Sequence, residues 1–330
     1  MSRLLRVELR RLRHRRLVLV AHLAVLVVAG LALFAAWDGL QPLSPAESAD
    51  AERFYAEAVQ EWEENGAEQV AECEEQEAEE RERTGDDTLD FACEAQEPQR
   101  EWFFPVVPPL GQLLPELLGA AALVLTLAGL GIGGTSTAAE LSTRSMSTWL
   151  TFEPRRLRVY ASKVGAAALG VVPMAVVTLA LLAGGTAALY AVEGASTALT
   201  GPGSGGLVLR ALRVVVLTVA AATAGAALGI LLRHTAAVLG AVLGWLVVVE
   251  AILVTQVPVL SLVSVRVNAL GWVEGGTSYY TQTCSPGPQG TVCDGVEHVI
   301  EIGHSAAVLG VGLVVLVALA AAVFRRRDEG

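Results

Sequence analysis

Residues 164–192 read VGAAALGVVPMAVVTLALLAGGTAALYAV and contain no charged side chain. A helix rises about 1.5 Å per residue, so about 20 apolar residues are enough to cross a hydrocarbon core about 30 Å thick. Five further stretches have comparable length and composition. The six stretches are 17–36, 110–134, 164–192, 207–232, 235–257 and 303–324. The sequence therefore predicts an all-α, polytopic membrane protein with six transmembrane helices, called spans one to six below.

The composition is too apolar for a water-soluble protein. Of the 330 residues, 53% are hydrophobic and 17% are charged, and the mean hydropathy is +0.52. The formal net charge is −11, but residues 37–110 alone hold 22 acidic and 4 basic side chains. The charges are thus separated along the chain, whereas a nucleic-acid-binding protein gathers its basic groups in one patch. We expect a lipid bilayer as surroundings and no nucleic acid as partner.

Arginine and lysine in the short connections set the predicted orientation, because cytoplasmic loops are enriched in these residues. With the N-terminus in the cytoplasm, 16 basic residues lie inside and 5 outside. The cytoplasmic segments are then 1–16, 135–163, the turn 233–234 and 325–330, and the outer segments are 37–109, 193–206 and 258–302. Arg210 and Arg213 fit neither group, since they lie at the outer end of span four, where long side chains can reach the headgroups.

The N-terminal segment 1–16 is predicted to be a basic amphipathic helix. Leu5, Leu9 and Leu12 recur at i, i+4 and i+7 between arginines. This pattern is typical of helices that lie along the cytoplasmic headgroups.

The outer segment 37–109 is predicted to be an acidic, helical ectodomain. Its first helix begins at Ser44-Pro45-Ala46-Glu47, a capping box with proline at the first helical position. We expect a break at Asn65-Gly66 and a second arm that continues to Arg83. The acidic run is better explained as a solvated face than as a cation-binding site.

All four cysteines lie in polar stretches and are expected to form two disulfides on an oxidising side of the membrane. Four cysteines allow three pairings. The pairing that is local in sequence joins Cys73 to Cys93 and Cys284 to Cys293.

Glycines in the spans indicate helix packing rather than nucleotide binding. The only lysine, Lys163, does not follow a glycine-rich loop, so the chain lacks a P-loop and binds no ATP or other cofactor by that route. Residues 131–134 read GIGG at the end of a span, where helix packing or termination is the better explanation. Gly225-x-x-x-Gly229 and Gly240-x-x-x-Gly244 give spans four and five small faces for close contact.

Two further polar features are candidate sites. Glu250 is the only acidic residue deep in a span, which indicates a translocation pathway, a proton relay or structural pairing. His298, Glu301 and His304 would lie partly on one helical face as H-x-x-E-x-x-H and could bind a metal. The zincin motif is absent, however, and polar residues where a helix meets the interface are common, so we expect no metal there.

The loop between spans two and three is the most informative stretch. Residues 139–156 read AELSTRSMSTWLTFEPRR and are followed by Lys163. This stretch resembles the membrane subunit of type-2 ABC exporters, particularly the actinobacterial permeases. The shared pattern is an acidic residue, a Ser- and Thr-rich turn, a leucine, a proline with basic neighbours and a lysine before span three. The turn at 229–234, GILLRH, is similar to that family's turn between spans four and five.

The resemblance implies that two permease chains form the substrate pathway in the bacterial plasma membrane and that a separate ATP-binding subunit supplies ATP and Mg. The loop would act as the coupling helix, with short re-entrant helices at about 258–300. The implied partner contacts are Glu140, Arg144, Trp149, Pro154, Arg155 and Arg156. The 70-residue acidic ectodomain departs from the family, in which this loop is usually short.

A different class of function is a polytopic sensor or assembly protein that binds a ligand through the acidic ectodomain. A metalloenzyme at His298 and His304 is a weaker third hypothesis. A neighbouring reading frame with a P-loop and an ABC signature would favour the exporter, and its absence would favour the sensor.

The predicted orientation can be tested by cysteine labelling. In a cysteine-free background, a cysteine introduced by Ser145→Cys should resist an impermeant maleimide in intact cells, because the loop is expected to be cytoplasmic. An ectodomain cysteine serves as the labelled control. Equal labelling at both positions would reverse the orientation.

Overall fold

The structure is a computed structural model that describes residues 2–85, 88–104, 106–142, 155–199, 205–287 and 290–326. Within these ranges, six helices are long and apolar enough to cross a membrane, as the sequence predicts. The chain divides into two compact units, residues 38–108 and residues 1–37 with 109–330. We describe each unit by itself.

The larger unit is a helical bundle with one small sheet. It begins with α1 (Ser2–Arg13), which is followed by span one, α2 (Arg16–Asp38). The next two helices, α3 (Pro45–Thr84) and α4 (Arg100–Phe103), belong to the smaller unit. Spans two to four are α5 (Leu110–Ser142), α6 with α7 (Arg156–Gly170 and Val172–Val192) and α8 (Leu207–Leu232). Span five comprises α9 (Thr235–Gly244), a π-helical segment (Trp245–Leu253) and α10 (Val254–Gln256). A 3₁₀ turn (Pro258–Leu262), α11 (Val265–Glu274), β1 (Gly276–Gly287), β2 (Gly290–Glu301) and span six, α12 (Ile302–Arg326), complete it.

Helices α5 and α8 form the centre of the bundle and touch backbone to backbone. A Cβ atom on Gly133 would lie 2.0 Å from the Ala222 carbonyl oxygen, and one on Gly225 would lie 2.1 Å from the Leu130 carbonyl oxygen. Thr137 Oγ1 donates across the same contact to the Ala226 carbonyl at 2.9 Å. Only glycine permits this approach, so the packing predicted for span four is confirmed.

The glycines of span five behave differently. A Cβ on Gly240 or Gly244 would meet no described atom within 4 Å. The close contact expected at this face is therefore not made within the described part of this chain.

Span three is interrupted two residues before a proline. Helix α6 ends at Gly170, Val171 joins it to α7, and Pro173 lies in the first turn of α7. Proline has no N–H to donate and its ring clashes with the preceding turn, which explains the interruption.

The segment before span six combines short helices with a hairpin. The 3₁₀ turn Pro258–Leu262 and α11 agree with the re-entrant helices that the resemblance implies, but β1 and β2 were not predicted. The two strands are antiparallel, and Cys284 lies opposite Cys293 in the register. Cys284 is disulfide-bonded, in agreement with the second predicted pairing.

The smaller unit is built on one continuous helix, so the predicted break at Asn65-Gly66 is wrong. The capping box is confirmed: the Glu47 N–H donates to Ser44 Oγ, and the Ser44 N–H donates to the Glu47 carboxylate. Gly66 is buried beneath Trp62, whose ring would lie 2.8 Å from a Cβ at that position. Contact with the indole offsets the cost of about 1 kcal/mol that glycine brings to a helix interior.

A return segment runs back along α3 and holds this unit together. The disulfide between Cys73 and Cys93 is present, with Cα atoms 5.7 Å apart. Further along, the rings of Tyr55 and Phe103 lie 5.6 Å apart. The return segment therefore covers one face of α3 and leaves most of the acidic side chains exposed.

The contact between α5 and α8 gives a first structural prediction. Gly133→Ala should lower the free energy of unfolding by about 1–3 kcal/mol, since its methyl group would force the two backbones apart. Gly131→Ala is the matched control, because the same helix has open space at Gly131. Thermal unfolding of the purified protein in detergent measures both, and equal midpoints for the two variants would contradict the contact.

Candidate functional site: a buried ion cluster

Lys163 lies at the centre of a buried group of charges. Its side chain is 3% exposed, and Nζ donates to Glu8 Oε1 at 3.0 Å and to the Glu140 carboxylate. Glu8 is on α1, Glu140 near the end of α5, and Lys163 on α6. One ammonium group thus joins three separate helices.

Two arginines complete the cluster on the side of the N-terminal segment. Arg15 donates from Nη2 to Glu140 Oε1 and from Nη1 to the Ser136 carbonyl at 2.8 Å. Arg11 Nη1 lies 3.9 Å from Glu140 Oε1 and 3.8 Å from Glu8 Oε1. We call Glu8, Arg11, Arg15, Glu140 and Lys163 the ion cluster.

The leucine face of α1 positions Glu8 in this cluster. Leu5 contacts the position of Gly165 on α6, and Leu12 packs against Gly170, whose missing side chain makes room for it. Glu8 lies between these two leucines on one helical face, because residues three and four apart are neighbours on a helix. The leucines predicted to face the membrane therefore pack, at least in part, on the protein itself.

The cluster satisfies its charges internally. Two carboxylates face one ammonium and two guanidinium groups, and the side chains of Glu8, Glu140 and Lys163 are each 8% exposed or less. Removing one member of such a group is expensive, because it leaves an uncompensated charge in a medium of low dielectric constant. The ion cluster therefore fixes the relative positions of α1, α5 and α6.

The cluster also closes the base of the loop between spans two and three. Glu140 lies two residues before the end of α5, and Lys163 lies on the first helix after the loop. Their ion pair holds the two ends of the loop together. A displacement of the loop must consequently act on the cluster or on the helices that it joins.

The predicted partner contacts are placed only in part. Glu140 is 5% exposed and bound within its own chain, and its contact with a partner stays a prediction. Arg155 is exposed and Arg156 is half-buried. Arg144, Trp149 and Pro154 lie outside the described residues, and their role stays a prediction.

Glu250 lies in a second buried polar group, near the opposite end of the bundle. Its Oε1 accepts hydrogen bonds from Trp245 Nε1 and the Val265 N–H, each at 2.9 Å, and its Oε2 accepts from Ser264 Oγ. The carboxylate thus caps the first turn of α11 and ties it to span five. Of the roles open at the level of sequence, structural pairing is the one with contacts in the structure; a role in translocation is untested.

The three candidate metal ligands do not share a helical face. His298 is in β2, where Nε2 lies 2.9 Å from Thr281 Oγ1 and the ring stacks on Tyr279. Glu301 ends β2, whereas His304 is in α12 and bonds the Leu262 carbonyl at 2.8 Å. The helical face assumed for this site is wrong, and the described residues hold no group of three or more His, Cys, Asp or Glu placed to bind a metal.

Three members of the cluster were missed in the sequence analysis: Glu8, Arg11 and Arg15. Glu8 carried a usable signal, since it is the only acidic residue of the basic segment 1–16 and lies on its leucine face. Nothing in the pattern distinguishes Arg11 and Arg15 from the other arginines of that segment.

Comparison with known families supports a transporter. The family described as ABC-2 family transporter protein matches residues 3–329, nearly the whole chain. The chain belongs to the ABC-2 transporter family. Comparisons with curated proteins and with solved structures found no match. The six apolar helices and the family together establish a multi-pass membrane protein of the permease type, the membrane component of an ABC transporter.

The ion cluster of this ABC-2 permease leads to a prediction about Lys163. Lys163→Met should lower the free energy of unfolding by about 3–5 kcal/mol, because Glu8 and Glu140 would stay buried without their shared cation. Arg158→Met, an exposed position on the same helix, is the control. Unfolding by SDS titration measures both variants.

A double-mutant cycle makes this test specific. Glu8→Gln should lower the free energy of unfolding by less in the Lys163→Met background than in the unmodified chain, since the two residues share one interaction. Additive losses would mean that the pair is not coupled.

Proposed function

We propose that the chain is the transmembrane permease subunit of an ABC exporter, which forms the substrate pathway as a dimer and is driven by a separate ATP-binding subunit. In this proposal the protein lies in the bacterial plasma membrane with both termini cytoplasmic, and ATP and Mg are bound by the partner. The observation that carries the proposal is the ion cluster at the base of the loop between spans two and three.

The first argument concerns energy supply. The sequence has no P-loop, so hydrolysis of ATP must be carried out elsewhere. ABC-2 permeases work in general with an ATP-binding subunit, and the cytoplasmic loop 135–163, with its coupling helix from Glu140 to Arg156, is the part of this chain that the family resemblance assigns to it. Arg144 and Trp149 are the loop residues that we expect to contact that subunit.

The second argument concerns transmission. Glu140 and Lys163 hold the ends of the loop together, and Glu8 adds α1 to the same group of charges. Helix α5 in turn touches α8 backbone to backbone at Gly133 and Gly225. A push on the loop would therefore move α1, α5, α6 and α8 together rather than bend one helix. Glu140 acts in this scheme as a positioning residue behind the docking surface.

The third argument concerns the second permease chain. Spans one, five and six are the least buried of the six apolar helices. The open glycines of span five, Gly240 and Gly244, lie on such a helix. Lipid covers part of this surface, and a second copy of the chain is the proposed occupant of the rest.

The test of the proposal is a charge reversal in the loop. Arg144→Glu should reduce stimulated ATPase activity of the purified complex at least tenfold and weaken co-purification of the ATP-binding subunit, because a reversed charge at a docking surface is repulsive. Arg158→Glu is the control, since Arg158 is exposed on α6 and is not among the implied partner contacts.

The control separates docking from a simple attraction to headgroups. If the loop only rests on the membrane surface, the two reversals should have similar, small effects. Full ATPase stimulation and normal co-purification with Arg144→Glu would reject the proposed docking role. Failure of the chain to co-purify with any P-loop protein would reject the transporter assembly itself.

A further inference from the structure

Arg210 and Arg213 lie near the start of α8, at the end of the bundle far from the ion cluster. Both side chains are partly buried. They continue the helical face of Val214 and Leu217, which are 0% and 8% exposed. Because residues three and four apart share a helix face, the arginines belong to the face that packs against the bundle.

The opposite face of the same turns is apolar and exposed. Its side chains are Val208, Leu209 and Leu212, each at least half exposed. This is the face expected to meet lipid tails, so the arginines do not lie among them. From the sequence alone, we expect only that their long side chains can reach the headgroups.

The neighbours of the two arginines come from α5 and from α11 with its C-terminal glycine. Arg210 Nη1 donates to the Pro115 carbonyl at the start of α5, at 3.0 Å. The Arg213 carbonyl accepts from Trp272 Nε1 of α11 at 3.0 Å. The guanidinium of Arg213 lies against Gly275, since a Cβ there would be 2.9 Å from Nη1. The pair therefore borders the junction of α5, α8 and α11.

Neither charge is neutralised by a described residue. Among the ion pairs of the described part of the chain, none involves Arg210 or Arg213. Glu116 and Glu274 adjoin the contacted residues Pro115 and Gly275 in sequence, yet both are exposed and neither pairs with an arginine. The neighbouring segment 200–204 carries no acidic residue.

A bound anion would stabilise two unneutralised guanidinium groups in this position. Arginine stays charged at every physiological pH, and a charge near the membrane interior is costly unless it is paired. At a rise of about 1.5 Å per residue, the two arginines lie about 4.5 and 9 Å along α8 from its start. Both arginines therefore lie within the first two turns of α8.

We propose that Arg210 and Arg213 form a binding site for a phosphate group. Guanidinium groups match phosphate oxygens with two parallel hydrogen bonds, and residues at i and i+3 can hold one such group between them. The phosphate belongs either to the headgroup of a phospholipid or to a water-soluble phosphate ester. The site does not depend on ATP-binding subunits, so it can be tested on this chain alone.

The experiment measures binding of fluorescent phosphatidylglycerol to the purified full-length chain in a neutral detergent. Arg210→Gln and Arg213→Gln should each weaken binding at least tenfold. Arg266→Gln should leave it unchanged, because Arg266 is exposed on α11 at the same end of the bundle. Arg213→Lys keeps the charge but loses the two parallel hydrogen bonds, so it should bind more weakly than the unmodified chain and more tightly than Arg213→Gln; it also serves if the glutamine variant aggregates.

Competition with glycerol phosphate distinguishes the two sources. If millimolar glycerol phosphate displaces the lipid, the phosphate group alone is recognised. If it does not, the lipid is required. Both results support the site. Unchanged affinity in both glutamine variants would overturn it. An equal loss in Arg266→Gln would also overturn it, because the binding would then reflect surface charge.

Discussion

The backbone contact between α5 and α8 determines where the polar groups of this membrane protein can lie. Helices in lipid gain little from burying apolar side chains, so their association relies on close packing and on hydrogen bonds between them. The glycines at 133 and 225 allow that packing, and Thr137 adds a hydrogen bond to the carbonyl of Ala226. With these two helices fixed, the end of α5 presents Glu140 to α1 and α6 at a defined position.

The two buried carboxylates of the bundle illustrate different solutions to one problem. Glu140 is neutralised by cations from two other segments of the chain, whereas Glu250 accepts hydrogen bonds from an indole, a hydroxyl and a backbone N–H. The first solution ties helices together through charge, and the second caps the first turn of a short helix together with Ser264, whose Oγ accepts from the Val267 N–H. Each carboxylate therefore fixes a connection at its own end of the bundle.

Much of the fold follows from features that are local in the sequence. The six apolar stretches, the capping box at Ser44 and the Cys73–Cys93 disulfide depend on composition or short spacing, and these predictions are confirmed. The continuity of α3 does not follow from local features, because Gly66 is tolerated only through its contact with the ring of Trp62. The hairpin of β1 and β2 was overlooked although Thr277, Tyr279 and Thr281 alternate as strand residues do.

The candidate site was less accessible to prediction than the fold. Glu140 and Lys163 were recognised through the family resemblance, but the pairing of Lys163 with Glu8 joins residues 155 positions apart and has no local signature. The resemblance implies that Glu140 contacts a partner, but a sequence motif carries no information about burial. Only the packing of the leucines of α1 on the glycines of α6 reveals that this charge is internal.

The burial of Lys163 has a practical consequence for the chemistry of the whole chain. It is the only lysine, so the chain has a single side-chain amine, and that amine is held between two carboxylates with 3% of the side chain exposed. Reagents that acylate amines, including common crosslinkers and succinimidyl dyes, therefore find no accessible lysine on the folded protein. Acylation at this position would report that the N-terminal helix has separated from the bundle, which makes the residue a natural probe of local opening.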